Sequence, residues 1–87
     1  MSDVIDNVGA SRFELTVDGH LAIAEYRIAD GAIYFTHTET PAALEGRGVG
    51  GRLVRAALES AKARGLKIVP RCSFVAAYQK THPELQN

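Results

Sequence analysis

The stretch Glu45-Gly46-Arg47-Gly48-Val49-Gly50-Gly51-Arg52 places four glycines within six positions and runs straight into an amphipathic segment ending near Arg64. Glycine lets the backbone turn tightly and lets a ligand approach the main chain with no Cβ in between. A helix that starts directly behind such a turn presents amide N–H groups with no intrahelical carbonyl, at the end where the helix dipole is positive. Arg47 and Arg52 add full charges beside the loop, so a phosphate or pyrophosphate is the guest this stretch suits. The alternative is a glycine-rich turn that does no more than start a helix.

A chain of 87 residues is expected to form one domain, 1–87, with a single core and any ligand at its surface or between strands. Ten basic and ten acidic residues cancel, so no global field favours nucleic acid or a membrane surface. The local balance differs. Arg47, Arg52, Arg55, Lys62, Arg64, Lys67 and Arg71 crowd the second half, while Asp3, Asp6, Glu14, Asp18 and Glu25 lie in the first. No apolar run approaches the roughly 20 residues of a membrane span, and no basic and apolar leader opens the chain, so a soluble, cytoplasmic protein is expected. Cys72 has no partner for an internal disulfide and no metal-ligand spacing with His20, His37 or His82. It is either a small buried residue or a reactive thiol, and no metal is expected.

In chain order, residues 1–10 show little periodicity and are expected as a flexible lead-in. From Arg12, the alternation of Phe13, Leu15 and Val17 has the period of a half-buried strand, and Asp18-Gly19 is a hairpin signal. A second strand follows from about Leu21 to Ile28. Its apolar residues change phase between Ile23 and Tyr26, which requires either two covered faces or a bulge. Asp30-Gly31 turns into a third strand, Ala32 to about Thr38, completing an antiparallel meander. The expected helix, about Gly50 to Ala63, aligns Leu53, Val54, Ala57, Leu58 and Ala61, and Gly65 stops it. Leu66–Val69 reads as a parallel strand buried on both faces. Phe74–Lys80 reads as a short helix with Phe74, Ala77 and Tyr78 on one face; Pro83 closes it and 84–87 form a tail.

Gly46-x-Gly48-x-x-Gly51 satisfies the dinucleotide fingerprint in form only. That fingerprint needs a parallel sheet and an acidic residue about 20 positions on, where this chain has Pro70-Arg71. No Gly-Lys-Ser/Thr follows the loop, which excludes a P-loop. Meander, glycine loop, helix, parallel strand and a short helix bearing a tyrosine together resemble the GNAT acyltransferase superfamily over about Arg12 to Leu85. Thr40 to Gly50 looks like its acetyl-CoA segment, with Gly48 and Gly50 at the two small positions and Glu45 where Gln or Arg is preferred. His37-Thr38-Glu39, Glu45 to Gly50, Pro70-Arg71-Cys72-Ser73-Phe74, Tyr78 and His82-Pro83 are similar to a small single-domain group, the YjdJ-type or N-acetyltransferase domain-containing protein 1-like proteins.

The resemblance implies an α+β, GNAT-like minimal fold: antiparallel meander, βαβ unit and short C-terminal helix. It also implies acetyl-CoA (coenzyme A) as cofactor and an unidentified amine as acceptor. Cofactor contacts would come from Thr38, Thr40, Arg47, Gly48, Val49, Gly50, Gly51 and Arg52, and a pantetheine arm would pair with exposed strand backbone. Tyr78 would be the proton donor to coenzyme A, or an aromatic that packs its helix. Glu39 or His37 would serve as base, or stand as an ordinary surface carboxylate and strand histidine. Cys72, beside Arg71, would be a thiolate able to accept the acyl group, or a buried structural residue. Three functions stay open at this level: an N-acetyltransferase, a coenzyme A or acyl-CoA binding module with little turnover, and a small protein-interaction domain. A monomer or weak homodimer is expected.

Overall fold

Two Asp-Gly pairs shape the antiparallel part of the sheet. In the computed structural model, which describes residues 3–87, Asp18 (φ 50°) and Gly19 (φ 77°), then Asp30 (φ 53°) and Gly31 (φ 76°), all lie in the left-handed region. Two successive left-handed residues give the turn whose twist matches that of its flanking strands. They join β2 (Arg12–Val17) to β3 (His20–Ala29) and β3 to β4 (Ala32–Glu39), all antiparallel, as the alternation implied.

The expected flexible lead-in needs correction. Met1 and Ser2 lie outside the described residues, but Ile5–Asn7 form an edge strand, β1, antiparallel to β2, and Val8–Ala10 form a 3-10 turn. Three residues are too few to show a period, and polar contacts fix them instead. The Tyr26 hydroxyl donates to the Asp6 carboxylate at 2.6 Å and the Asn7 amide to Glu14 at 3.0 Å. Burial, and then the Asp6 carboxylate, push the Tyr26 phenol up to about 12.

The phase change in β3 is resolved by a bulge, and the extra residue sits on β4. Ala24 pairs with Thr38 and Glu25 with His37, but Tyr26 pairs with Phe35, leaving Thr36 unmatched. Cross-strand partners share a face. Thr38 therefore joins Ile33 and Phe35 on the core side, whereas His37 and Glu39 turn outward with Glu25 and Ile23. A regular alternation would have put His37 on the core side.

Helix α1 (Val49–Ala63) buries Leu53, Val54, Ala57, Leu58 and Ala61, the stripe read from the sequence, together with Val49. Arg64 to Leu66 close it: Gly65 (φ 70°) donates to Lys62 and Leu66 to Ala61, which satisfies two terminal carbonyls. Strand β5 (Lys67–Pro70) then runs parallel to β4 at the far edge, giving the order β1-β2-β3-β4-β5. It is not buried on both faces, since only Ile68 is buried. Both helices contribute to one core with Phe13, Leu15, Ala24 and Phe35, and among the described residues no helix covers the opposite face.

Helix α2 (Ser73–Thr81) turns Val75 and Gln79 inward, rather than the expected Phe74 and Ala77. The 84–87 tail is likewise not loose. Pro83–Leu85 form a 3-10 turn, Leu85 is a core residue, and the Asn87 side-chain amide pairs with Ile68 N–H and Leu66 C=O along the free edge of β5. No helix among the described residues is long and apolar enough to cross a membrane.

Candidate functional site

The glycine loop begins where β4 ends. Pro41 opens a 3-10 turn, Ala42–Leu44, whose Leu44 is buried in the core and anchors the entry to the loop. Gly46 (φ 78°) and Gly48 (φ 72°) then take left-handed conformations that strain any other residue, with open space where a Cβ would stand. Gly48 is the N-cap of α1 and offers no side chain, so the first amides of the helix are left for an external acceptor. They border a cavity of about 410 Å³ lined by Thr38, Thr40, Gly48, Val49, Gly50 and Gly51.

The same cavity reaches a gap in the sheet. β4 and β5 pair from Ala32–Lys67 to Phe35–Pro70, and the Cys72 N–H closes the ladder on Phe35 C=O at 2.9 Å. Beyond this point the chain of β5 leaves the sheet plane into α2, while β4 continues to Glu39. The end of β4 thus has no β5 neighbour, which gives an extended ligand arm strand backbone to pair with beyond the Thr38 N–H, which turns to Cys72. A phosphate at the helix start and an arm along β4 fit this cleft. Gly50 shows the closeness of the walls: a Cβ there would come within 3.0 Å of Phe74 Cζ and 3.1 Å of Thr40 Oγ1.

Cys72 lies at the N-terminus of α2, half-buried, with its Sγ 3.3 Å from Thr38 Oγ1. Burial alone pushes this thiol up. Hydrogen bonds from the Thr38 hydroxyl and from the backbone N–H groups of Val75, Phe74 and Thr38 outweigh it, and the thiol ends below the usual range. The bulge at Thr36 is what makes this arrangement possible, by turning Thr38 inward.

The other expected site residues are distributed differently. Arg47 and Arg52 do not line the cavity: Arg47 Nη1 donates to Asp18 at 2.8 Å, and Arg52 lies 3.8 Å from Asp3. Such exposed pairs are worth about 0–1 kcal/mol, so either guanidinium exchanges partner at little cost. His37 and Glu39 are 3.8 Å apart on the outer face of the sheet. Tyr78 also lies outside the cavity, stacked on His82 with ring centroids 4.0 Å apart and 7° between the planes. Arg55 donates to Glu84 at 2.9 Å, and Glu84, then the nearby Tyr78 hydroxyl, hold its guanidinium further toward the charged form.

Glu45, Gly46, Leu44 and Phe74 line the cavity without having been singled out as contacts. For Phe74, helical spacing suggested a core position; yet its ring is 43 % exposed and leans over the start of α1. Only the distance to Gly50, which is not a sequence property, reveals that role. Among the described residues no group of three or more metal-ligating side chains exists.

The family model described as GCN5-related N-acetyl-transferase matches residues 12–87. A solved structure similar to the chain is the solution NMR structure of a GCN5-like candidate N-acetyltransferase from Staphylococcus aureus, 31 % identical. The likeness covers 98 % of this chain and 86 % of that one, with a TM-score of 0.73.

Proposed function

Since the chain belongs to the GCN5-related N-acetyltransferase family, we propose that it binds acetyl-CoA in the cleft between the glycine loop and β4 and transfers the acetyl group to an amine. The observation that carries this reading is an α1 N-terminus with no side-chain cap, opening onto a cavity that runs along an unpaired strand edge. Amides of the loop and of the first turn of α1 would hold the pyrophosphate, and backbone groups near Thr38 and Thr40 would hold the arm. When bound, acetyl-CoA supplies an acetyl group already activated as a thioester, with a sulfur leaving group.

Cys72, like Tyr78, does not itself line the cavity, but its bond to Thr38, which does, sets it beside the cleft, and its hydrogen bonds favour the nucleophilic thiolate, which supports it as the group that acts on the acyl carbon. A direct attack by the amine leaves Cys72 a structural neighbour of the cleft. Tyr78 is engaged with His82 and Arg55, which supports a packing role, and His37 and Glu39 face away from the thiol.

A coenzyme A binding module with little turnover is the second reading, favoured by the sheet face that no helix covers. Isothermal titration with acetyl-CoA, followed by thiol release in the presence of a panel of amines, separates the two. Saturable binding with amine-dependent thiol release is expected. Binding without release leaves the module, and no binding removes both.

A further inference from the structure

The sheet face that no helix covers divides into two halves of opposite charge. Along β3 its outward residues are Leu21, Ile23, Glu25 and Arg27. On the first half Glu39 lies across from Ile23; on the second, Tyr34 lies across from Arg27 and Lys67 across from Ala32. Arg71 comes back over the same face, its guanidinium carbon 5.7 Å from the centre of the Tyr34 ring. The first half also holds a groove of about 430 Å³ with Leu21, Ile23, Pro41 and Ala42 as its apolar walls.

On the first half Arg12 and Glu14 cancel, Nε to carboxylate 2.6 Å. Glu39 has His37 at 3.8 Å, an opposite charge only while the imidazole is protonated, so Glu25 and Glu39 leave this half negative. On the second half Arg27 and Lys67 have no ion-pair partner among the described residues, and Arg71 is set against the Tyr34 ring. Those cations around one aromatic ring leave it positive.

A partner that suits this face must present both signs in reverse order. A second copy does so when turned about a two-fold axis between the halves, which sets each positive half on the other copy's negative half. We propose that the chain pairs with itself through this face, Tyr34 and its flanking arginines acting as the anchor and the groove with Glu25 and Glu39 as the receptor. Tyrosine and arginine are the side chains that anchor interfaces, by joining apolar area to a polar tip. Five strands spaced about 4.8 Å and about eight residues long give a face on the order of 500 Å². A standard interface uses roughly 800 Å² per partner. The dimer is therefore weak and, resting on exposed charges, sensitive to salt. It is independent of the transferase reading, whose glycine loop lies on the helical side.

Sedimentation velocity between about 10 μM and about 1 mM protein, in about 20 mM salt, should show a monomer–dimer equilibrium that about 300 mM salt weakens several-fold. Backbone amide NMR of dilute and concentrated samples should place the concentration-dependent shifts on Ile23, Arg27, Tyr34 and Val69. Arg27→Glu and Glu39→Arg should each dimerise about tenfold more weakly, and an equimolar mixture of the two should regain the wild-type affinity, because the reversed charges then face each other. Lys80→Glu makes the same charge change on α2 and should dimerise as the wild type does. The salt and shift measurements need no variant, so they decide even where a variant folds poorly. Wild-type protein that stays monomeric at about 1 mM, shifts centred on another surface, or an equal loss in Lys80→Glu overturns the proposal.

Discussion

The thiol of Cys72 stands under opposing influences, since burial disfavours its charge while the Thr38 hydroxyl and three backbone amides stabilise it. The donors win, so the thiolate appears at lower pH than in a free cysteine. Reactivity follows the thiolate. Alkylation by iodoacetamide, measured against pH, should therefore show a midpoint below that of an unstructured cysteine peptide. Thr38→Val removes the hydroxyl donor but keeps the shape, so less of the thiol is ionised at neutral pH. Its midpoint should rise and its neutral-pH rate fall several-fold. An unchanged midpoint would mean that the backbone amides alone set the thiolate, and Thr38 would lose its assigned part. If the covalent route holds, incubating the wild-type protein with acetyl-CoA without an amine leaves one acetyl group on Cys72.

Elements differ in how openly their sequence declares them. The hairpins at Asp18-Gly19 and Asp30-Gly31 and the stripe of α1 were legible because each depends on residues close in the chain. The bulge at Thr36 was not, because it is a mismatch between two strands: the phase of β3 signalled it without saying which strand carries the extra residue. That one residue separates Thr38 from His37 and Glu39, so two of the four expected catalytic residues, His37 and Glu39, lie on the face of the sheet opposite the Thr38–Cys72 pair. The start of α1 poses the converse problem. Gly50 lies in the helix with ordinary dihedrals, so its lack of a side chain is required by Phe74 and Thr40 and not by the backbone. In Gly50→Ala, the helical preference for Ala, about 0.5–1 kcal/mol, offsets much of the cost of shifting an exposed ring. The urea midpoint should move little, while acetyl-CoA affinity measured by titration calorimetry falls about tenfold or more as the cleft narrows. Full affinity in this variant would place the ligand somewhere other than against the start of α1.

At the scale of the whole molecule, a sheet covered on one side has one core to depend on, and the C-terminal residues complete it. In the sequence 84–87 reads as a tail, because Pro83 ends α2 and four residues are too few to show a pattern. The structure turns Leu85 into the core at 3 % exposure, and the Gln79 amide donates to its carbonyl at 2.9 Å. Outside that turn, Glu84 accepts from Arg55 at 2.9 Å and Lys62 Nζ donates to the Glu84 carbonyl at 2.6 Å. Buried apolar contact and exposed charge thus hold the same turn, and their magnitudes differ. Leu85→Ala should cost about 2–5 kcal/mol by leaving a cavity, a large share of the roughly 5–15 kcal/mol that stabilises a domain. Glu84→Gln should cost far less, because the pair is open to solvent. Urea denaturation of the two variants distinguishes the contributions. Comparable losses would mean that the turn is held at its surface, and that the core closes without it.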